Sequence, residues 1–184
     1  AIHNWMSAAV GLAVAIALVR GFVRRESHGI GNFWVDVVRG TLYVLLPIAF
    51  VAALVFVWQG VPQTLSSGTT ATTIEGAAQR IGLGPVASQE AIKQLGTNGG
   101  GFLNSNSAHP FENPNGFTDL FTKFLIFLIP ASLTVTFGRM VGSPRQGWTV
   151  FAAMALLFLI GAFATLSAEQ AGNPSFAKLG VETA

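Results

Sequence analysis

Residues 86–116 read VASQEAIKQLGTNGGGFLNSNSAHPFENPNG, a stretch that joins a short helical pattern to a run of three glycines. Ser88 is predicted to cap the helix, Glu90 lies in the favoured acidic first turn, and Gly96 is predicted to end it. A helix over 88–96 makes only about two turns, which is too short to cross a bilayer. This length suits a re-entrant pore helix that enters the membrane and returns.

The six residues after this helix, here called the glycine segment (97–102), are Thr97, Asn98, Gly99, Gly100, Gly101 and Phe102. Consecutive glycines adopt backbone conformations that other residues cannot, so successive carbonyls can point toward one axis without interference from Cβ groups. Such carbonyls can replace the water shell of a dehydrated cation, and the C-terminal end of a preceding helix adds partial negative charge. The alternative is a flexible turn, which glycines beside Asn and Ser form more often.

The rest of the chain is strongly apolar. Of 184 residues, 51% are hydrophobic and only 10% are charged, with a mean hydropathy of +0.56, whereas soluble globular chains carry about 25% charged residues. This composition favours a membrane protein over a soluble protein with four buried helices. The net charge is +2 and the basic residues form no dense stripe or run, which argues against nucleic-acid binding. The absence of cysteine excludes disulfides, thiolate metal sites and a cysteine nucleophile.

Four apolar stretches are long enough to cross about 30 Å of hydrocarbon as helices. They are predicted to form transmembrane helices over 1–23, 37–61, 117–138 and 147–168. The third is the weakest, because Asp119 and Lys123 must lie at an interface for it to reach full length.

The distribution of Lys and Arg predicts the side of the membrane on which each connection lies. Arginines cluster in and around 24–36 and 139–146, so these loops are predicted to be cytoplasmic. Between the second and third helices only Arg80 and Lys93 are basic, so this part is predicted to be exterior. It divides into an exterior segment (62–87), the pore helix (88–96), the glycine segment (97–102) and an exterior loop (103–116), and 169–184 is predicted to be exterior as well.

Other candidate sites are less well supported. His109 and Glu112 lack a third ligand at helical spacing, so a proline-framed turn is favoured over a metal pair. Arg139 and Arg145 are expected at cytoplasmic helix ends, and docking of a cytoplasmic partner is the alternative. The chain contains no Walker A loop, GxSxG elbow, HExxH helix or Asp-Lys-Thr-Gly sequence of an aspartyl-phosphate pump, so no catalytic residue is predicted.

Residues 97–114, TNGGGFLNSNSAHPFENP, closely resemble the potassium-binding A subunits of Kdp potassium-transporting ATPases. The resemblance continues through GPVASQEAIKQLGTNGGG upstream and FGRMVGSPRQGW downstream. Leu103 stands where the family usually has Phe, and Ser105 where it usually has Ala, but both leave 97–101 unchanged. Because the chain begins at Ala1 inside an apolar stretch, it is interpreted as an internal fragment of such a subunit.

The resemblance implies an all-α membrane protein built from potassium-channel-like repeats of helix, pore loop and helix. This chain would hold one complete repeat, plus one flanking transmembrane helix on each side. The resemblance also implies that K⁺ is bound by backbone carbonyls of the filter residues, with the Thr97 hydroxyl as an addition and with Asn98 and Phe102 bracing the loop. The filter residues are Thr97, Asn98, Gly99, Gly100 and Gly101.

The function implied is that of the potassium-binding and translocating subunit of an ATP-driven uptake system, multi-pass in the bacterial inner membrane. Such a subunit is not an enzyme by itself, since K⁺ is its transported ion and ATP is used by a partner, the catalytic P-type subunit. Small accessory subunits and the lipid bilayer are the other implied partners. Two alternatives stay open: a non-conducting membrane scaffold with a flexible glycine-rich exterior loop and, least favoured, a hydrolase within the membrane.

Overall fold

The computed structural model describes residues 1–24 and 29–172. The chain divides into two compact units, Ala1–Leu133 and Thr134–Ala184. Parts of two predicted segments, the cytoplasmic loop 24–36 and the exterior segment 169–184, lie outside the described residues.

The first helix, α1, spans Ile2–Val23. Its buried residues are Ala9 and Ala13, which lie one turn apart on the same face. Small residues at this spacing let helix backbones approach closely, which is how apolar helices associate in lipid.

The second long helix is continuous from Phe33 to Trp58 but changes its winding. It comprises α2 (Phe33–Arg39), a π-helical turn (Gly40–Leu45) and α3 (Leu46–Trp58). The π-helical turn ends just before Pro47, which has no N–H to donate to the preceding turn. The helix begins four residues before the predicted start at 37, because the Asn32 side chain caps it by accepting a hydrogen bond from the Val35 N–H at 3.1 Å.

A small antiparallel hairpin lies in the predicted exterior segment 62–87. Strand β1 (Gly68–Thr72) pairs with strand β2 (Ala78–Gly82), with Thr70 opposite Arg80. No strand was predicted here from the sequence. The other regular elements of the described residues are helices.

The short helix after the hairpin, α4, spans Val86–Leu95. Ser88 is not its cap: Pro85 occupies that position, and the Ser88 hydroxyl donates to the Pro85 carbonyl at 3.1 Å. The prediction of a Ser88 cap was therefore wrong, and Glu90 lies beyond the first turn. Gly96 is the C-cap, as predicted. The apolar side of α4 joins the core of the first unit, where α3 contributes Phe56.

The last two helices are α5 (Gly116–Met140), which contains Pro130, and α6 (Pro144–Gln170). In the first unit, the α5 ring of Phe121 packs edge-on against Phe56 of α3, with centroids 5.3 Å apart. In the second unit, an ideal Cβ on Gly147 would lie 2.6 Å from the Thr134 carbonyl oxygen, so this contact requires glycine.

Within the described residues, four helices have the length and hydropathy needed to cross a membrane: Ile2–Val23, Phe33–Trp58, Gly116–Met140 and Pro144–Gln170. This confirms the prediction of a helical membrane protein. Helix α4 and the glycine segment lie between the second and third of these helices along the chain.

Candidate functional site

The glycine segment leaves the C-terminal end of α4 directly. The Thr97 N–H donates to the Gln94 carbonyl at 3.1 Å, and the Asn98 N–H donates to the Lys93 carbonyl at 3.4 Å. Three residues of the segment have left-handed backbone: Thr97 (φ 55°), Gly99 (φ 70°) and Gly100 (φ 81°). For a β-branched residue such as Thr97 this conformation costs about 1–3 kcal/mol, so neighbouring contacts must impose it.

Most carbonyl groups of this segment are free of hydrogen bonds. The Gly100 carbonyl accepts from the Asn106 N–H at 2.7 Å. The carbonyls of Thr97, Asn98, Gly99 and Gly101 accept no hydrogen bond from any residue that the structure describes. Thr97, Asn98 and Gly101 are exposed and Gly99 is partly exposed, so these oxygens are open to water or to another partner.

Asn106 closes the loop over the glycines. Its Oδ1 accepts from the Gly100 N–H at 3.1 Å, while its own N–H donates to the Gly100 carbonyl. An ideal Cβ on Gly99 would lie 2.7 Å from this Oδ1. Glycine at 99 is therefore required both by the left-handed φ and by the proximity of Asn106.

Asn98 and Phe102 attach the glycine segment to other elements. The Asn98 Nδ2 donates to the Asn4 carbonyl of α1 at 3.0 Å, and its Oδ1 accepts from the Ser7 hydroxyl, also on α1. The ring of Phe102 covers Gly84, where an ideal Cβ would lie 2.4 Å from the ring. The segment is thus connected to α1 at one end and to the residues before α4 at the other.

A group of buried polar side chains, here called the buried ion cluster, lies between α4 and the loop that follows the glycine segment. Its members are at most 6% exposed: Glu90, Lys93, Gln94, Ser107 and Glu112. The Lys93 ammonium lies 2.5 Å from Glu90 Oε2 and 3.9 Å from Glu112 Oε1, and it donates to the Ser107 hydroxyl at 3.0 Å. The Ser107 hydroxyl donates to Glu90 Oε1, which also accepts from Gln94 at 2.7 Å.

The Glu112 carboxylate connects this cluster to the glycine segment. Its Oε1 accepts from the N–H of Phe102 at 2.6 Å and of Leu103 at 3.2 Å. Successive N–H groups directed at one oxygen form an anion-binding nest. Glu112 Oε2 has no hydrogen-bond partner in the described part of the chain.

The residues 109–113 form a hydrogen-bonded turn. The Glu112 N–H donates to the His109 carbonyl at 2.9 Å, and His109 Nδ1 accepts from the Phe111 N–H at 3.1 Å. Within the described ranges, no group of three or more His, Cys, Asp and Glu side chains is placed to hold a metal. The proline-framed turn is the local structure found.

Sequence reasoning found the glycine segment but missed the buried ion cluster. Glu90 was interpreted as a first-turn residue, Lys93 as a marker of topology, and Glu112 as part of a turn. The available signal was the i, i+3 spacing of Glu90 and Lys93, which places opposite charges on one face of α4. Only tertiary packing brings Glu112 to that face.

Comparison with known proteins agrees with the resemblance noted in the sequence. The family model described as KdpA, potassium-transporting ATPase A subunit, matches residues 1–184. The chain is 60% identical to proteins from Granulibacter bethesdensis and Solibacter usitatus, and 59% identical to one from Rhizobium rhizogenes. Each of these is named potassium-transporting ATPase potassium-binding subunit, and each match covers 98% of this chain and 32% of the relative.

The chain thus spans about a third of the length of these relatives. Since the family model matches the chain from end to end, the chain belongs to the KdpA family of potassium-transporting ATPase A subunits.

Proposed function

We propose that this chain is part of the potassium-binding and translocating subunit of an ATP-driven K⁺ uptake system. In this proposal the glycine segment supplies one strand of the selectivity filter, through the backbone carbonyls of Thr97 to Gly101. The proposal is supported by the family membership and by the names of the relatives. The observation that carries it is the combination of left-handed backbone and free carbonyls at the end of a short helix.

The chemistry suits a monovalent cation that sheds its water. Carbonyl dipoles replace hydration without a fixed charge at the ion, and the C-terminal end of α4 adds a partial negative charge. Thr97, Asn98, Gly99 and Gly101 contribute carbonyls that accept no hydrogen bond within the described residues. The Gly100 carbonyl keeps its second lone pair, since a carbonyl oxygen has two and Asn106 uses one.

A single strand cannot surround an ion, and potassium-channel filters use four such loops. We place the remaining strands in the parts of the protein outside this chain. Here the continuous helix from α2 to α3, the loop with α4, and α5 form one repeat of helix, pore loop and helix, while α1 and α6 belong to the neighbouring repeats.

In this proposal the chain works within a complex of several subunits. The subunit is non-catalytic, a partner P-type subunit hydrolyses ATP, and small accessory subunits complete an assembly in the bacterial inner membrane. The short basic loops face the cytoplasm and the glycine segment faces the exterior. The competing function, a non-conducting scaffold, makes the glycine segment an ordinary exterior turn.

The test is rubidium tracer uptake by the full-length parent reconstituted with its partner subunits. Gly100→Ala is compared with Gly76→Ala, a matched control in the hairpin turn. The two glycines have φ of 81° and 82°, and an ideal Cβ at either position meets nothing within 4 Å. Both substitutions therefore carry the same backbone strain. Gly99→Asp adds a charge at the proposed ion path.

We expect Gly100→Ala and Gly99→Asp to weaken apparent rubidium affinity about tenfold, which is about 1.4 kcal/mol, or to admit sodium. Gly76→Ala should leave both properties unchanged. If Gly100→Ala and Gly76→Ala behave alike and Gly99→Asp transports normally, the scaffold function is correct and the filter assignment is wrong.

A further inference from the structure

We propose that the buried ion cluster sets ion selectivity by holding the far end of the glycine segment against α4, with Glu112 as the positioning residue and Lys93 as its partner. This inference rests on the proposed function of the glycine segment as a filter strand. It assigns a role in selectivity to two side chains that do not themselves contact the ion path.

Burying three charged side chains in this cluster is costly. The side chains of Glu90, Lys93 and Glu112 are all fully buried. Removing each charge from water costs several kcal/mol, and apolar residues of similar size often stabilise a fold equally well. Stability alone therefore does not explain three charges at this position. What a buried charged network supplies is a defined geometry.

The Glu112 carboxylate binds the end of the glycine segment. One oxygen, Oε1, accepts from the N–H groups of Phe102 and Leu103 and lies 3.9 Å from the Lys93 ammonium. Phe102 ends the glycine segment. Meanwhile the backbone carbonyl of Lys93 accepts from the Asn98 N–H near the start of the segment, at 3.4 Å. The Asn98 bond is made by the main chain of α4, so the start of the segment is held by the helix end itself, and Glu112 holds the far end against α4 through the Lys93 ammonium.

The Glu112 carboxylate also lies close to the glycines themselves. An ideal Cβ on Gly101 would lie 3.2 Å from Glu112 Oε2, so the carboxylate lies directly against Gly101. The Phe102 N–H that donates to Glu112 and the Gly101 carbonyl belong to one planar peptide unit, so a shift of Glu112 would displace the Gly101 carbonyl. Carbonyl positions decide how well a dehydrated ion is coordinated.

The buried ion cluster has more negative than positive groups. The two carboxylates and one ammonium of the cluster carry a formal charge of −1, and Glu112 Oε2 accepts no hydrogen bond from the described residues. A cation at the neighbouring carbonyls would offset this excess. The cluster therefore favours a cation over an empty segment, in addition to positioning it.

The test measures rubidium and sodium dependence of ATPase activity in the full-length parent assembled with its partner subunits. Glu112→Ala removes the acceptor for two backbone N–H groups, and Lys93→Met removes the ammonium that positions Glu112. The double variant Lys93→Met with Glu112→Gln removes both charges but keeps an oxygen acceptor. The control is Leu125→Ala, which creates a cavity at a fully buried apolar position of α5 outside the cluster.

We expect Glu112→Ala and Lys93→Met each to lower the ratio of rubidium to sodium affinity about tenfold, as loss of a ligand-orienting partner does in metal sites. The double variant should recover part of this ratio relative to Lys93→Met, because it leaves one carboxylate without its ammonium partner, Glu90, instead of two, and keeps an oxygen acceptor at 112. Leu125→Ala should lower thermal stability without changing the ratio. If Glu112→Ala fails to assemble, Lys93→Met and the double variant decide the question.

The inference is overturned if the assembled cluster variants keep the wild-type ratio while Gly100→Ala changes it, a result that leaves the filter in place. It is overturned equally if Leu125→Ala changes the ratio as much as they do. If neither Gly100→Ala nor the cluster variants change the ratio, the proposed function itself fails.

Discussion

Thr97 has a strained backbone conformation and is also the first residue of the proposed filter strand. It is β-branched, has φ of 55°, and follows the C-cap Gly96. Such strain persists only where the surroundings impose it, and strained residues cluster at functional sites. The two main-chain bonds at the end of α4, from the Thr97 N–H to Gln94 and from the Asn98 N–H to Lys93, form a Schellman motif that imposes this conformation, with threonine at the position where glycine is usual.

The Thr97 hydroxyl, as an added ion ligand, makes a prediction that its backbone carbonyl does not. Thr97→Val keeps the branched shape but loses the hydroxyl, whereas Thr97→Ser keeps the hydroxyl and loses the branch. We expect Thr97→Val to weaken rubidium affinity about two- to tenfold, the range of one hydrogen-bond-sized interaction. Thr97→Ser should stay near the wild type. Uptake kinetics in the reconstituted parent measure this, and equal affinities in the two variants would show that the hydroxyl plays no part.

At this scale the sequence predicts some features and not others. The glycines from 99 to 101 are recognisable because the structure requires glycine there: Gly99 and Gly100 have left-handed backbone, and a Cβ on Gly101 would lie 1.5 Å from the Asn104 carbonyl oxygen. Ser88 was misplaced as a cap, since proline can start a helix and Pro85 extends α4 by two residues. The pairing of Glu112 with Lys93 depends on a loop returning to α4, which no local pattern specifies.

At the scale of the elements, α1 and α2 are joined by an ion pair between Arg20 and Asp36. The Arg20 Nη2 donates to Asp36 Oδ1 at 3.0 Å, and Nη1 donates to Asp36 Oδ2. The side chains are 24% and 12% exposed, so water screens the pair only in part. This bidentate contact connects the helix before the repeat with the first helix of the repeat.

A double-mutant cycle of Arg20→Gln and Asp36→Asn should therefore give a coupling energy of about 1 kcal/mol in thermal unfolding of the parent protein. The matched comparison is Asp119 with Lys123, an i, i+4 pair whose side chains are 48% and 58% exposed. That pair should couple by only about 0.3–0.5 kcal/mol. Coupling as weak at Arg20–Asp36 as at Asp119–Lys123 would contradict a structural role for the contact between α1 and α2.

The long helices were predictable as elements because continuous apolar runs specify them directly. Their ends were less predictable, since the side chain of Asn32 starts α2 before the apolar run begins. The hairpin of β1 and β2 was missed because its strands are largely exposed and show no alternation of buried and exposed positions. Its pairing comes from backbone hydrogen bonds rather than from a hydrophobic face.

At the scale of the whole molecule, the proposed orientation can be tested with two matched substitutions. Ile30 lies in the predicted cytoplasmic loop and Ile74 in the hairpin turn of the predicted exterior segment, and both are exposed, at 53% and 103%. The chain has no cysteine, so Ile30→Cys and Ile74→Cys introduce single thiols into this region.

In intact cells, a membrane-impermeant maleimide should label the parent protein carrying Ile74→Cys and should not label Ile30→Cys. The unsubstituted parent supplies the background, and permeabilised cells should label both variants. Labelling of Ile30→Cys alone in intact cells would reverse the orientation and place the glycine segment on the cytoplasmic side.

In the proposed function, carbonyls of the glycine segment bind the transported ion. Anomalous scattering from crystals of the full-length parent in rubidium tests this binding without a mutation, because rubidium replaces K⁺ and can be located directly. We expect an anomalous peak within coordination distance of the carbonyl oxygens of 97–101, and its loss in Gly99→Asp. A rubidium peak elsewhere in the protein, with none beside these carbonyls, would contradict ion binding by the glycine segment.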